Sequence, residues 1–118
     1  MLLIVGGEAS GKRSFAESLG YRPEEMACAL TGAQRVVYGA HTLVSTQEDV
    51  LPALAALRTR EVVIMNEVGS GVIPAVRALT VQREAAGRLS VLLAREADCV
   101  VRMVCGLPVL LKGTLPCR

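Results

Sequence analysis

Apolar positions along this chain fall into two patterns. Leu2 to Val5 is a continuous apolar run with a β-branched tail, and Val62-Val63-Ile64-Met65, inside Glu61 to Asn66, is a second. Runs of this length predict strands buried on both faces of a parallel sheet. Elsewhere the apolar residues recur at helical spacing. Phe15, Ala16 and Leu19 predict a short helix over Lys12 to Leu19, ended by Gly20 and Pro23. Val50, Leu51, Leu54 and Leu57 predict another, capped by Ser45 or Asp49, with Pro52 tolerated if the helix begins near Asp49. Val76, Leu79, Ala86, Leu89 and Leu93 predict a long helix from about Ala75 to Glu96 whose apolar stripe packs on the sheet.

Asp98 to Val104 and Val109 to Lys112 read as two strands joined by a tight turn at Gly106-Leu107-Pro108, an antiparallel hairpin at the sheet edge. The weakest pattern lies between Tyr21 and Ala40, where short strands are expected at Met26 to Leu30 and Arg35 to Tyr38, with another at Thr42 to Val44. Strand-helix alternation makes the fold class α/β, with a mainly parallel sheet and a C-terminal antiparallel hairpin.

Composition narrows this further. A chain of 118 residues, 52% of them apolar, has room for one small domain spanning residues 1–118 and enough apolar surface to order it. No internal repeat or Ser/Gly/Pro-rich linker divides it. Thirteen basic and eleven acidic residues leave a formal charge of +2, which gives no nucleic-acid footprint. The greasiest stretch, Val100 to Leu111, is broken by Arg102, Gly106 and Pro108 and is too short for a membrane span. With no basic leader before Gly6, a cytoplasmic location is expected. Cys28, Cys99, Cys105 and Cys117 form no C-x-x-C pair and read as reduced thiols. So apolar a small chain is expected to cover part of its surface in an oligomer.

Gly6-Gly7-Glu8-Ala9-Ser10-Gly11-Lys12 fits the phosphate-loop pattern G-x-x-x-x-G-K, set directly between a predicted strand and a predicted helix. Glycines let successive N–H groups turn inward on phosphate oxygens, and Lys12 adds a mobile cation near the β and γ phosphates. Nucleoside triphosphate is therefore the expected ligand, held by Gly6 to Lys12 with Arg13 and Ser14. The Ser or Thr that holds Mg²⁺ in this motif is replaced by Arg13, and Ser14 is rotated about 100° further round the helix. Three consequences stay open: Ser10 or a water replaces the missing ligand, Arg13 itself neutralises phosphate charge, or the site binds without turnover.

Glu67 ends the second buried strand, where open α/β sheets place ligands, and can organise Mg²⁺ or an attacking hydroxyl; a capping role on the Gly69/Gly71 loop is the plainer alternative. Arg83 falls between Leu79 and Ala86 on the apolar side of the long helix, where it needs a partner such as phosphate or Glu67, or else snorkels. His41, the one histidine, is a candidate nucleophile or base, or a packing residue.

Taken in order, these segments resemble the bifunctional adenosylcobinamide kinase/adenosylcobinamide-phosphate guanylyltransferase family of cobalamin biosynthesis. Val62 to Pro74 is similar to its N-E-V-G-x-G-I/V-V-P signature, Arg83 to Arg88 to its F-R-D-x-x-G-R/x segment, Cys105 to Lys112 to its terminal G-I/L-P-x-x-L/I-K, and Gly6 to Lys12 to its phosphate loop. The resemblance implies a P-loop NTPase-like three-layer sandwich that assembles as a homo-oligomer, a trimer. It implies GTP or ATP with Mg²⁺, and phosphorylation of a corrinoid side chain followed by GMP transfer through a guanylylated histidine. Gly6, Gly11, Lys12, Glu67, Arg83 and His41 carry over, with Lys12, Glu67 and His41 as catalytic candidates and Glu67 as the metal candidate. The family's additional strand with an acidic residue has no counterpart near Leu57 to Glu61, Arg13 replaces a serine, and Ala75 stands where glutamate is usual. These departures fit a second reading, a non-catalytic paralogue that serves as a nucleotide-binding or structural subunit.

Overall fold

The computed structural model describes residues 1–28, 30, 34–67 and 77–115. The first apolar run forms β1 (Leu2–Gly6), and the loop after it leads into α1 (Lys12–Ser18). Two short strands follow, β2 (Met26–Ala27) and β3 (Val36–Val37), then α2 (Val50–Leu57) and β4 (Val62–Asn66). The long helix is α3 (Arg77–Glu96), and the hairpin is β5 (Cys99–Val104) with β6 (Leu107–Lys112).

Among the described residues these strands form one six-stranded sheet in the order β2-β3-β4-β1-β5-β6. Every neighbouring pair is parallel except β5 and β6. Side chains of successive strand residues point to opposite faces, and the core divides accordingly. Leu2, Ile4, Val62, Ile64, Val101 and Met103 pack under Ala16 of α1. Leu3, Val63, Met65 and Val100 pack under Ala53 and Leu57 of α2 and Ala85, Leu89 and Leu93 of α3. Burial on both faces is why β1 and β4 carry unbroken apolar runs, and each fully buried Leu or Ile contributes about 1.5–3 kcal/mol. The fold is therefore the expected α/β sandwich, with α1 on one side of the sheet and α2 and α3 on the other.

Three local expectations are corrected. Thr42 to Val44 is not a strand; Ala40–Leu43 is a 3-10 turn. Gly39 enters it at φ +65°, and its carbonyl accepts both the N–H and the hydroxyl of Thr42, which turns the chain off the strand direction. The hairpin turn is Cys105-Gly106, both at positive φ (+51° and +78°), so Leu107 and Pro108 belong to β6. Such a pair matches the twist of the flanking strands, and proline is tolerated on an edge strand. Leu79 is 50% exposed rather than part of the stripe. The 20-residue α3 is about 30 Å long against about 20 Å for β5, so its first turns overhang the carboxyl edge of the sheet. Val76 lies outside the described residues.

At the start of α2, the Asp49 carboxylate accepts the N–H groups of Ser45 (2.8 Å) and Thr46 (3.1 Å), so its capping is from within the first turn. Those bonds hold Asp49 below its ordinary pKa. Pro52 sits in the first turn of α2, where it costs no hydrogen bond. Among the described residues, no helix is long and apolar enough to cross a membrane.

Candidate functional site

The chain leaves β1 through α1 on one face of the sheet and leaves β4 through α3 on the other, crossing β1 to reach β5. Neighbouring strands whose connections diverge in this way open a crevice at their carboxyl ends, and here it lies between β1 and β4. A cleft of about 500 Å³ occupies that place, walled by Glu8 to Ser14, Tyr38, Gly39, His41 and Asn66, with Ile64 at its base.

The loop after β1 owes its course to its glycines. A Cβ on Gly6 would lie 2.5 Å from Ser10 Oγ and 2.8 Å from the Met103 carbonyl, so only glycine fits between the loop and β5. Gly11 takes φ +92° beside Gly106 of the hairpin turn, whose N–H donates to the Ser10 carbonyl at 3.1 Å. Gly7 is open to solvent, with nothing that a Cβ would meet. The hairpin thus braces the loop from behind. Lys12 is buried, and its ammonium donates to the Gly7 carbonyl and, at 3.5 Å, to Ser10 Oγ. Burial pulls its pKa down, against the opposing pull of the Glu8 and Glu67 carboxylates.

His41 lines the same cleft as this lysine, placed there by the 3-10 turn. The Asn66 N–H at the end of β4 donates to His41 Nδ1 at 3.1 Å. A ring nitrogen that accepts has its lone pair engaged, so the proton of the neutral imidazole is on Nε2. Burial, and next the positive charge of Lys12, lower the His41 pKa, which keeps the ring neutral at pH 7.

Arg13 does not reach back to the loop. Its guanidinium lies 4.6 Å from the centroid of the Tyr38 ring on the cleft wall, a contact worth about 0.5–1 kcal/mol at an exposed site. Glu67 sits beside the cleft rather than on its wall. Its N–H donates to the Gly6 carbonyl at 2.8 Å, which ties it to β1. Arg102 of β5 grips both carboxylate oxygens, Nε to Oε1 and Nη2 to Oε2, the second at 3.2 Å. That pairing raises the Arg102 pKa. Arg83 is half-buried on α3 and is not among the residues walling the cleft, because α3 packs on the sheet face opposite α1.

Of the sequence candidates, the structure brings Glu8, Ala9, Ser10, Gly11, Lys12, Arg13, Ser14 and His41 to one cleft and leaves Gly6, Gly7, Glu67 and Arg83 off its wall. Two neighbours were missed. Arg102 left a trace as a lone cation inside the apolar run Val100 to Val104, although its side chain is half-exposed in the structure. Tyr38 left none, because an aromatic at a strand end is ordinary core patterning.

Among the described residues the donor set is a poor fit for Mg²⁺, which takes near-octahedral oxygen ligands including one or two carboxylates, since Glu8 is the one carboxylate on the cleft wall. Both Glu67 oxygens are held by Arg102, the motif hydroxyl is Arg13, and Ser10 Oγ is within reach of the Lys12 ammonium. Among the described residues no group of three His, Cys, Asp or Glu side chains is placed to hold a metal.

No curated protein matches the chain. Residues 26–111 match the sequence model of the cobinamide kinase / cobinamide phosphate guanyltransferase family, whose members use nucleoside triphosphates in cobalamin biosynthesis. The match takes in Tyr38, His41, Glu67 and Arg102 and begins after the phosphate loop. With β4, α3 and the β5–β6 hairpin all inside the matched span, this chain belongs to the cobinamide kinase / cobinamide phosphate guanyltransferase family.

Proposed function

We propose that the cleft binds the triphosphate of GTP or ATP, with Lys12 and the backbone of Gly7 to Gly11 on the phosphates and the His41 Nε2–H as a further donor. The observation that carries this reading is the pairing of a buried lysine with a neutral imidazole in one cleft at the β1/β4 crevice. Lys12 now bonds the Gly7 carbonyl, and an incoming phosphate offers it a charge-assisted partner in exchange. In the family's setting the acceptor is a corrinoid side chain, and the reaction is phosphoryl or GMP transfer, which depends on positioning and charge neutralisation.

For GMP transfer through His41, an imidazole lone pair must attack the α-phosphorus as pyrophosphate leaves. The Nδ1 lone pair is taken by the Asn66 N–H, and Nε2 carries the proton, so nucleophilic attack requires that bond to break or the tautomer to exchange. This observation favours the second reading, a nucleotide-binding subunit without guanylyl transfer, over the transferase. The apolar edge strand β6 supports a homo-oligomer, a trimer by resemblance to the family.

Calorimetric titration with GTP and ATP tests the binding reading. Lys12→Ala is expected to weaken either nucleotide by about 10-fold or more, the loss of a charge-assisted contact. Absence of heat from both nucleotides with the native protein overturns it. Incubation with α-labelled GTP separates the two readings: an acid-labile protein adduct that His41→Ala abolishes supports the transferase, and its absence supports the binding subunit.

A further inference from the structure

The charges on the cleft wall do not resemble a site that waits for a divalent cation. Among the described residues the wall carries one carboxylate, Glu8, against two cations, Lys12 and Arg13. His41 is neutral, and both carboxylate oxygens of the adjacent Glu67 are engaged by Arg102. The wall is net positive before any ligand arrives. A polyphosphate tail is attracted to such a surface, whereas a free divalent cation is repelled by it and finds, among the described residues, Glu8 as the one carboxylate on the wall.

Arg13 is the residue placed to supply what the metal supplies elsewhere. It occupies the position of the metal-binding hydroxyl, its side chain lies on the cleft wall, and it is held there by the face of Tyr38. A ring face is a weaker partner for a guanidinium than two phosphate oxygens in bidentate geometry. Stacked on Tyr38, the guanidinium stays exposed and on the cleft wall.

We propose that this cleft takes a nucleoside polyphosphate without a divalent cation, the Arg13 guanidinium leaving Tyr38 to neutralise the phosphate charge while Arg102 keeps Glu67 from recruiting a metal. The inference rests on the nucleotide reading above and deepens it.

The test is calorimetric titration of the full chain with GTP and with inorganic tripolyphosphate, each in excess Mg²⁺ and in EDTA. For the native protein the Kd in EDTA is expected to stay within about fivefold of that in Mg²⁺. Arg13→Ser, which restores the motif hydroxyl, is expected to weaken binding in EDTA by about tenfold or more, with Mg²⁺ recovering part of the loss. Arg13 is exposed, and Arg13→Lys, which keeps the charge, is expected to retain binding in EDTA and so separates charge from folding. Native binding that is more than about fivefold weaker in EDTA overturns this inference alone. Undiminished binding by Arg13→Ser in EDTA also overturns it alone. No binding of either polyphosphate in either buffer overturns it together with the nucleotide reading.

Discussion

β1 and β6 are written in nearly the same alphabet, Leu-Leu-Ile-Val-Gly against Leu-Pro-Val-Leu-Leu-Lys, yet their surroundings are opposite. β1 has strands on both sides and helices over both faces; Leu3 and Ile4 have at most 1% of their surface left to solvent. Among the described residues β6 has one neighbour, and all six of its own residues are exposed, Leu107 at 68% and Leu111 at 58%. An apolar run therefore states a demand for cover without stating what meets it. In β1 the chain meets the demand itself. In β6 the demand is unmet among the described residues, and an exposed apolar edge is what soluble proteins ordinarily blunt or pair.

The same substitution at both places breaks or sharpens this contrast. Leu3→Ala is expected to cost about 2–5 kcal/mol in urea unfolding, the transfer loss plus the cavity left in a close-packed core. A loss below about 1 kcal/mol would mean that β1 is not the load shared between the two cores.

His41→Ala comes next. It removes the acceptor for the Asn66 N–H and is expected to cost about 1 kcal/mol at neutral pH. The pH dependence carries a definite sign. Because the folded pKa lies below the unfolded value of about 6.5, the unfolded chain takes the proton first, so stability falls as pH drops from about 6.5 through the folded pKa. Comparing urea midpoints of native protein and variant between pH 7 and pH 5 isolates this contribution, and equal slopes would remove it.

The smallest effect on the fold is expected at Leu111→Ala, within about 0.5 kcal/mol, because that side chain is 58% exposed. Its effect is expected in association instead. Sedimentation of the native chain should show an oligomer that Leu111→Ala weakens, and a native chain that sediments as a monomer would leave β6 without the proposed use.

Much of the sheet was legible because burial on two faces and strand-helix alternation both leave periodic marks. The ends of β1, α1, β4 and β5 fall within a residue or two of the pattern. Failures fell where one backbone conformation outweighed side-chain preference. Gly39 and the Cys105-Gly106 pair, all at positive φ, redirected Ala40–Leu43 and lengthened β6 through Pro108. Of the loop's glycines, Gly6 and Gly11 answer to Met103 and Gly106 as much as to a ligand, a packing constraint that no motif records.

By itself the sequence determined the α/β class, the strand-loop-helix unit from Leu2 to Ser18 and the chemistry available to it, because these depend on residues close together in the chain. Only the tertiary structure decided what those residues meet: Arg13 the ring of Tyr38, His41 the amide of Asn66, Glu67 the guanidinium of Arg102. The partners of His41 and Glu67 lie 25 and 35 residues away along the chain. Charge and hydrogen bonding act over a few ångströms in space, and which groups come that close is settled by the order of strands in the sheet.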